Sequence, residues 1–139
     1  MVEKRKFIRH PTDVPLEVWQ VTDTSHNLEQ MKDISLGGLA FRAHKCWEND
    51  TLIGIRISLV DPPFETIGKV AWCQQQKRHF NIGVRFLEEN DVTKAHIVEQ
   101  ICQIERYRKM LEKQGRMLTV EEAAIEWISL YGDSFHLED

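Results

Sequence analysis

The hydrophobic pattern of this chain changes period once, near residue 89, and that change limits the folds open to it. Up to residue 86 apolar residues come in short runs rich in β formers. "PLEVWQV" (15–21) is bounded by Pro15 and the polar cluster "TDTSHN", and a second run at about 28–33 can return from it as a hairpin. "GLAFRA" follows a glycine pair. In "TLIGIRISLV" Leu52, Ile53, Ile55, Ile57 and Leu59 are expected on one face, with Arg56 and Ser58 on the other. "DPP" ends that run, because proline cannot donate to a ladder. "ETIGKVAWCQ" and "FNIGVRFLE" are two more strands joined by "QQQKRH". About six short strands at regular spacing predict a small antiparallel barrel or sandwich.

After Glu89 the spacing is helical. Ile97, Ile101, Ile104 and Leu111 fall near one face, and Gly115 offers a stop. "TVEE" (119–122) reads as a capping box, with Thr119 as N-cap and Glu122 three residues on. Val120, Ala124, Trp127, Ile128 and Tyr131 then form a stripe, and Gly132 ends the helix. That stripe is expected either to pack on the strands or the first helix, or to dock a partner protein or a second copy of the chain as a homodimer.

Bulk properties narrow the function. At 139 residues, 42% hydrophobic and 29% charged, one globular domain with an appendage is expected. No apolar run approaches the roughly 20 residues that span a bilayer, so membrane insertion is not expected. "FIRHPTDVP" breaks the basic start too early for a signal peptide, which makes a soluble, cytoplasmic protein the expectation. Cys46, Cys73 and Cys102 are odd in number, far apart and without a CxxC, so all three are expected as buried or half-buried thiols. The six histidines show no HExxH or HxH, and no metal site is expected. Residues 1–86 carry 12 Lys and Arg against 10 Asp and Glu, while residues 87–139 carry 6 against 12. A mildly basic front thus meets an acidic back.

Two short motifs carry chemistry. In "RKFIR" the guanidinium groups of Arg5 and Arg9 are planar, permanently charged forks. Each can grip a phosphate bidentately or the O6/N7 edge of a guanine, and can stack on a flat base. Alone, the spacing reads first as a solvated basic terminus. In "DISLGG" Asp33 and Ser35 can bond nearby backbone N–H groups, and Gly37 and Gly38 permit a tight turn or close approach of a ligand. The Asp33 carboxylate can also accept N1–H and N2–H of a guanine. Alone, this stretch is equally a plain turn between strands.

Together, RxxxR (Arg5, Arg9), D/NxSxxG (Asp33, Ser35, Gly38) and the "IGVRF" strand (Ile82 to Phe86) resemble the PilZ family over roughly residues 4–87. The resemblance implies a mainly β chain, a six-stranded antiparallel barrel binding the bacterial second messenger cyclic di-GMP, here followed by two C-terminal helices. It divides the chain into a basic ligand-binding arm (1–10), the barrel (11–89) and a helical extension (90–139). It implies that Arg5 and Arg9 contact guanine and phosphate, that Asp33 and Ser35 hold a guanine, and that Gly38 permits the turn. Trp72 sits on a strand where several family members present a ring or long side chain beside the ligand, although a lone barrel tryptophan is more often core. Many members have arginine directly before RxxxR, where this chain has Lys4, a point charge without a stacking face. That bears on whether one or two ligands bind. Cyclic di-GMP is thus the expected ligand, and an unnamed downstream protein the expected partner.

Other functions fit less well. A small barrel can bind single-stranded nucleic acid, but a net charge of -4 argues against a polyanion track. An interaction domain without ligand would have no need of the motif residues. No catalysis is expected: the paired acids at 88–89 and 121–122 fall at a strand end and in a helix first turn, where the helix dipole favours acid.

Overall fold

Among the described residues, seven strands, β1 (His10–Pro11), β2 (Pro15–Gln20), β3 (His26–Ile34), β4 (Gly38–Ala43), β5 (Leu52–Ile57), β6 (Phe64–Gln75) and β7 (Phe80–Phe86), precede two helices, α1 (Asp91–Lys113) and α2 (Val120–Tyr131). The computed structural model describes residues 8–87 and 91–132. The strands pair antiparallel in the order β1-β3-β2-β5-β6-β7-β4, and β4 pairs back onto β3. Six strands therefore close a barrel, and β1 pairs with the end of β3 on the edge that β2 uses further along. Closure leaves the six no unpaired edge among themselves.

Alternation decides what fills the interior. Leu16 and Val18, Met31, Phe41, the trio Ile53, Ile55 and Ile57, then Val70 and Ile82 all point inward and are fully buried. Leu52, expected on that face, is exposed. It pairs with Lys69 at the start of β5, one residue out of phase with the isoleucines. Arg56 points outward as expected and reaches Glu65 across the ladder at 3.2 Å.

The helices share the barrel's core. Ile97, Ile101, Ile104 and Leu111 of α1 are buried in the same cluster as the barrel side chains, as are Val120, Ala123, Ala124 and Trp127 of α2. The second-helix stripe is thus largely packed away, with Tyr131 at its end left exposed. Gln100 clamps α1 to the loop after β5: its side-chain oxygen accepts from Asp61 N at 2.7 Å and its amide donates to Asp61 O at 3.0 Å. Gly115 takes a φ of +89°, with Arg116 N donating to Leu111 O and Gly115 N to Glu112 O. These are the two bonds of a Schellman stop, which glycine makes without a Cβ penalty. The capping box forms as the sequence predicts: Glu122 N donates to Thr119 Oγ1 at 3.1 Å and Thr119 N to Glu122 Oε1 at 2.9 Å.

One carboxylate ties the two helices. Glu126 of α2 accepts from both Arg116 nitrogens, at 2.8 and 2.9 Å, and from the Tyr107 hydroxyl at 2.6 Å. The Arg116 bonds, then that of Tyr107, lower its pKa from the ordinary 4.5 to about 2. A depressed carboxylate stabilises the fold above its unfolded pKa, and the contribution disappears as pH falls from about 4.5 to about 2. Wild type should therefore melt higher than Glu126→Gln at pH 7, and the gap should close toward pH 2. An unchanged gap across that range would mean that Glu126 acts here without its charge.

The cysteine expectation fails for two of three. Cys46 and Cys73 form a disulfide with Cα atoms 6.1 Å apart, and Cys46 is exposed. Cys102 remains a half-buried thiol, whose pKa is raised by burial and then by Glu99. The pairing follows from the path after β4, where the chain runs alongside β6. Asp50 N donates to Val70 O, and Val70 N to Thr51 O. A separation of 27 residues gives no hint of that adjacency.

Candidate functional site

Chain entry sets the first wall of the site. His10 pairs with Ile34 and Pro11 with Asp33, so β1 docks where β3 ends. Arg9, one residue earlier, is thereby placed against the "DISLGG" turn. Its Nη1 lies 3.6 Å from Asp33 Oδ2. Its guanidinium carbon is 5.9 Å from the centre of the Trp72 ring, within cation–π reach. A register shift between Met31 and Asp33 re-aims the end of β3.

The turn is closed by its own serine. Ser35 N donates to Gly38 O at 2.8 Å. The Ser35 hydroxyl donates to the same carbonyl at 3.3 Å and accepts from Gly37 N at 3.2 Å. Gly38 faces Arg85 on β7, and a Cβ there would overlap the Val84 carbonyl oxygen. The strands can meet at this point only because position 38 has no side chain.

Trp72 forms the other wall. β6 carries a bulge between Val70 and Trp72, after which Trp72 faces Gly83. The indole lies over Gly83, where any Cβ would collide with it. Trp72 is therefore half-buried on the outside of the barrel rather than part of its interior.

Arg9, Asp33, Ser35, Gly38 and Trp72 line one cavity of about 340 Å³, together with Gly37, Leu39, Ala71, Gly83, Val84 and Arg85. Such a volume lies at the small end of ordinary ligand pockets. It combines a guanidinium, a carboxylate, a flat indole and bare glycine backbone, which suits a planar heteroaromatic group attached to an anion. Lys4 and Arg5 lie outside the described residues. Sequence reasoning missed Gly83 and Arg85. The signal was present: Ile82, Val84 and Phe86 are the inward set of "IGVRF", so Gly83 and Arg85 share its outward face. Among the described residues no group of His, Cys, Asp and Glu is placed to hold a metal ion, and no helix is long and apolar enough to cross a membrane.

Known proteins match this arrangement at the level of fold. The PilZ domain of YcgR from Escherichia coli, solved with c-di-GMP, superposes with a TM-score of 0.65 at 14% identity, covering 83% of this chain and 100% of that one. The inhibitor of motility MotI/DgrA of Bacillus subtilis gives 0.60 at 10% identity, over 75% of this chain and 52% of the other. The MrkH–c-di-GMP complex of K. pneumonia gives 0.59 at 17% identity, over 78% and 55%. The chain thus spans about half the length of MotI and MrkH. No curated protein sequence matches it. The PilZ domain model matches residues 3–103, most of the chain and a span that includes the residues lining the cavity, and the chain belongs to the PilZ domain family.

Proposed function

We propose that this chain is a cyclic di-GMP receptor without catalytic activity, which passes the signal to a partner protein. The observation that carries the reading is the meeting of Arg9, Asp33, Ser35, Gly38 and Trp72, distant in sequence, around one cavity. The c-di-GMP in the YcgR domain and MrkH structures supports the choice of ligand. A guanine would donate N1–H and N2–H to the Asp33 carboxylate, which without ligand faces Arg9. Arg9 would turn to a phosphate or to the O6/N7 edge, a charge-assisted contact it makes better than any lysine. Trp72 would give the base a flat wall.

Signalling follows from the two-part site. Lys4, Arg5 and Arg9 belong to the arm, and the remaining groups belong to the barrel. A ligand that touches both favours the state in which they lie together, and the combined surface of arm, nucleotide and barrel is what a partner would read. Calorimetric titration with cyclic di-GMP, beside GTP and cyclic di-AMP, tests the reading. Saturable binding of cyclic di-GMP alone is expected. No heat with cyclic di-GMP, or equal affinity for cyclic di-AMP, would overturn it.

A further inference from the structure

We infer that Lys69 and Arg85 form a phosphate-gripping subsite on the barrel wall, separate from the basic arm; this rests on the cyclic dinucleotide reading above. The two residues are direct cross-strand partners on β6 and β7. Both are off the interior face, with Arg85 exposed and Lys69 half-buried. Like charges placed directly opposite one another destabilise a sheet. Among the described residues, their other cross-strand neighbours carry no charge to relieve them. Lys69 faces Leu52 on its other side, and Arg85 faces Gly38. Neither makes an ion pair among the described residues. The nearest acid along β6, Glu65, is engaged by Arg56.

A pair of like-charged cations beside a ligand cavity gains when an anion comes between them. Arg85 lines the cavity itself. Gly38, its partner across the ladder, carries no side chain to obstruct the guanidinium. The charge requirement points the same way. A cyclic dinucleotide brings two phosphodiester charges, more than the single guanidinium of Arg9 beside the cavity can balance. Lys69 and Arg85 supply the two further cations from rigid strands rather than from the arm.

The pair has a signature that a merely structural role lacks, because binding and apo stability should move in opposite directions. Removing either cation relieves repulsion, so Arg85→Ala and Lys69→Ala should melt at or above the wild-type temperature without ligand. In calorimetric titration of the full chain with cyclic di-GMP, Arg85→Ala should bind roughly tenfold or more weakly, Lys69→Ala somewhat less so, and both should show a shallower dependence on salt. Arg85→Lys should recover part of the loss. Wild-type affinity and salt dependence in both alanine variants, with Arg9→Ala still weakened, would overturn the subsite and leave the receptor reading standing. Absence of binding in wild type would overturn the receptor reading and the subsite with it. A fall in apo melting temperature matching the loss of binding would also overturn it, by marking the two as structural.

Discussion

Arg9→Ala is expected to weaken cyclic di-GMP binding by roughly tenfold to a thousandfold while leaving the ligand-free melting temperature almost unchanged. The two halves have different physical sources. Without ligand, Arg9 faces Asp33 at 3.6 Å with about a third of its side chain exposed. A pair of that kind contributes at most about 1 kcal/mol. With ligand, the guanidinium would make one or two charge-assisted hydrogen bonds, each worth about 1.5–3 kcal/mol, and about 1.4 kcal/mol is a factor of ten in affinity. Arg9→Lys should fall between wild type and alanine, because a point charge keeps the attraction and loses the fork. Calorimetry and a thermal melt on one preparation measure both quantities. Wild-type affinity in Arg9→Ala would make Arg9 a bystander. A large loss of apo stability would make it a structural residue.

Trp127→Ala is expected to be the most destabilising of these changes. Trp127 is 5% exposed and sits in one continuous core with α1 and the barrel. Removing a buried tryptophan costs about 3–5 kcal/mol, which should lower the melting temperature by roughly 10–20 °C. Because the core is shared, the variant should still melt in a single transition. A variant that melts in two steps, or that loses only a degree or two, would show that the helices fold apart from the barrel. No residue lining the cavity comes from α1 or α2. The folded variant should therefore bind cyclic di-GMP as wild type does.

What the sequence revealed and what it hid have a common explanation. Features encoded over a few neighbouring residues were legible. The Thr119–Glu122 box, the stop at Gly115, the β4 run "GLAFRA" and the inward isoleucines of β5 all depend on local chemistry and simple periods. Features that depend on which strand lies beside which were not. The Cys46–Cys73 bridge requires the chain after β4 to run along β6. The facing of Lys69 and Arg85 requires the β6–β7 register. The cavity shows both kinds. Asp33, Ser35 and Gly38 were visible because one turn holds them. Arg9 was visible as half of a spaced arginine pair, although its place beside Trp72 depends on how β1 docks. Trp72 was ambiguous because plain alternation from Val70 puts it inside the barrel, and the bulge puts it outside.

That bulge bears on how the chain can vary in length. On β6, Val70 faces Val84 and Trp72 faces Gly83, which leaves Ala71 without a partner of its own. Deleting a residue that has a partner of its own turns everything beyond it inside out. Loss of Ala71 is different: it restores ordinary alternation, with Val70 inward, Trp72 outward and Cys73 inward. Homologous chains one residue shorter here should thus keep an outward aromatic over the glycine. An alignment that forces Ala71 to match a residue in those chains would slide the tryptophan out of register and make the site look lost. The gap belongs at Ala71, and placing it there is a structural decision that sequence similarity within one strand cannot make.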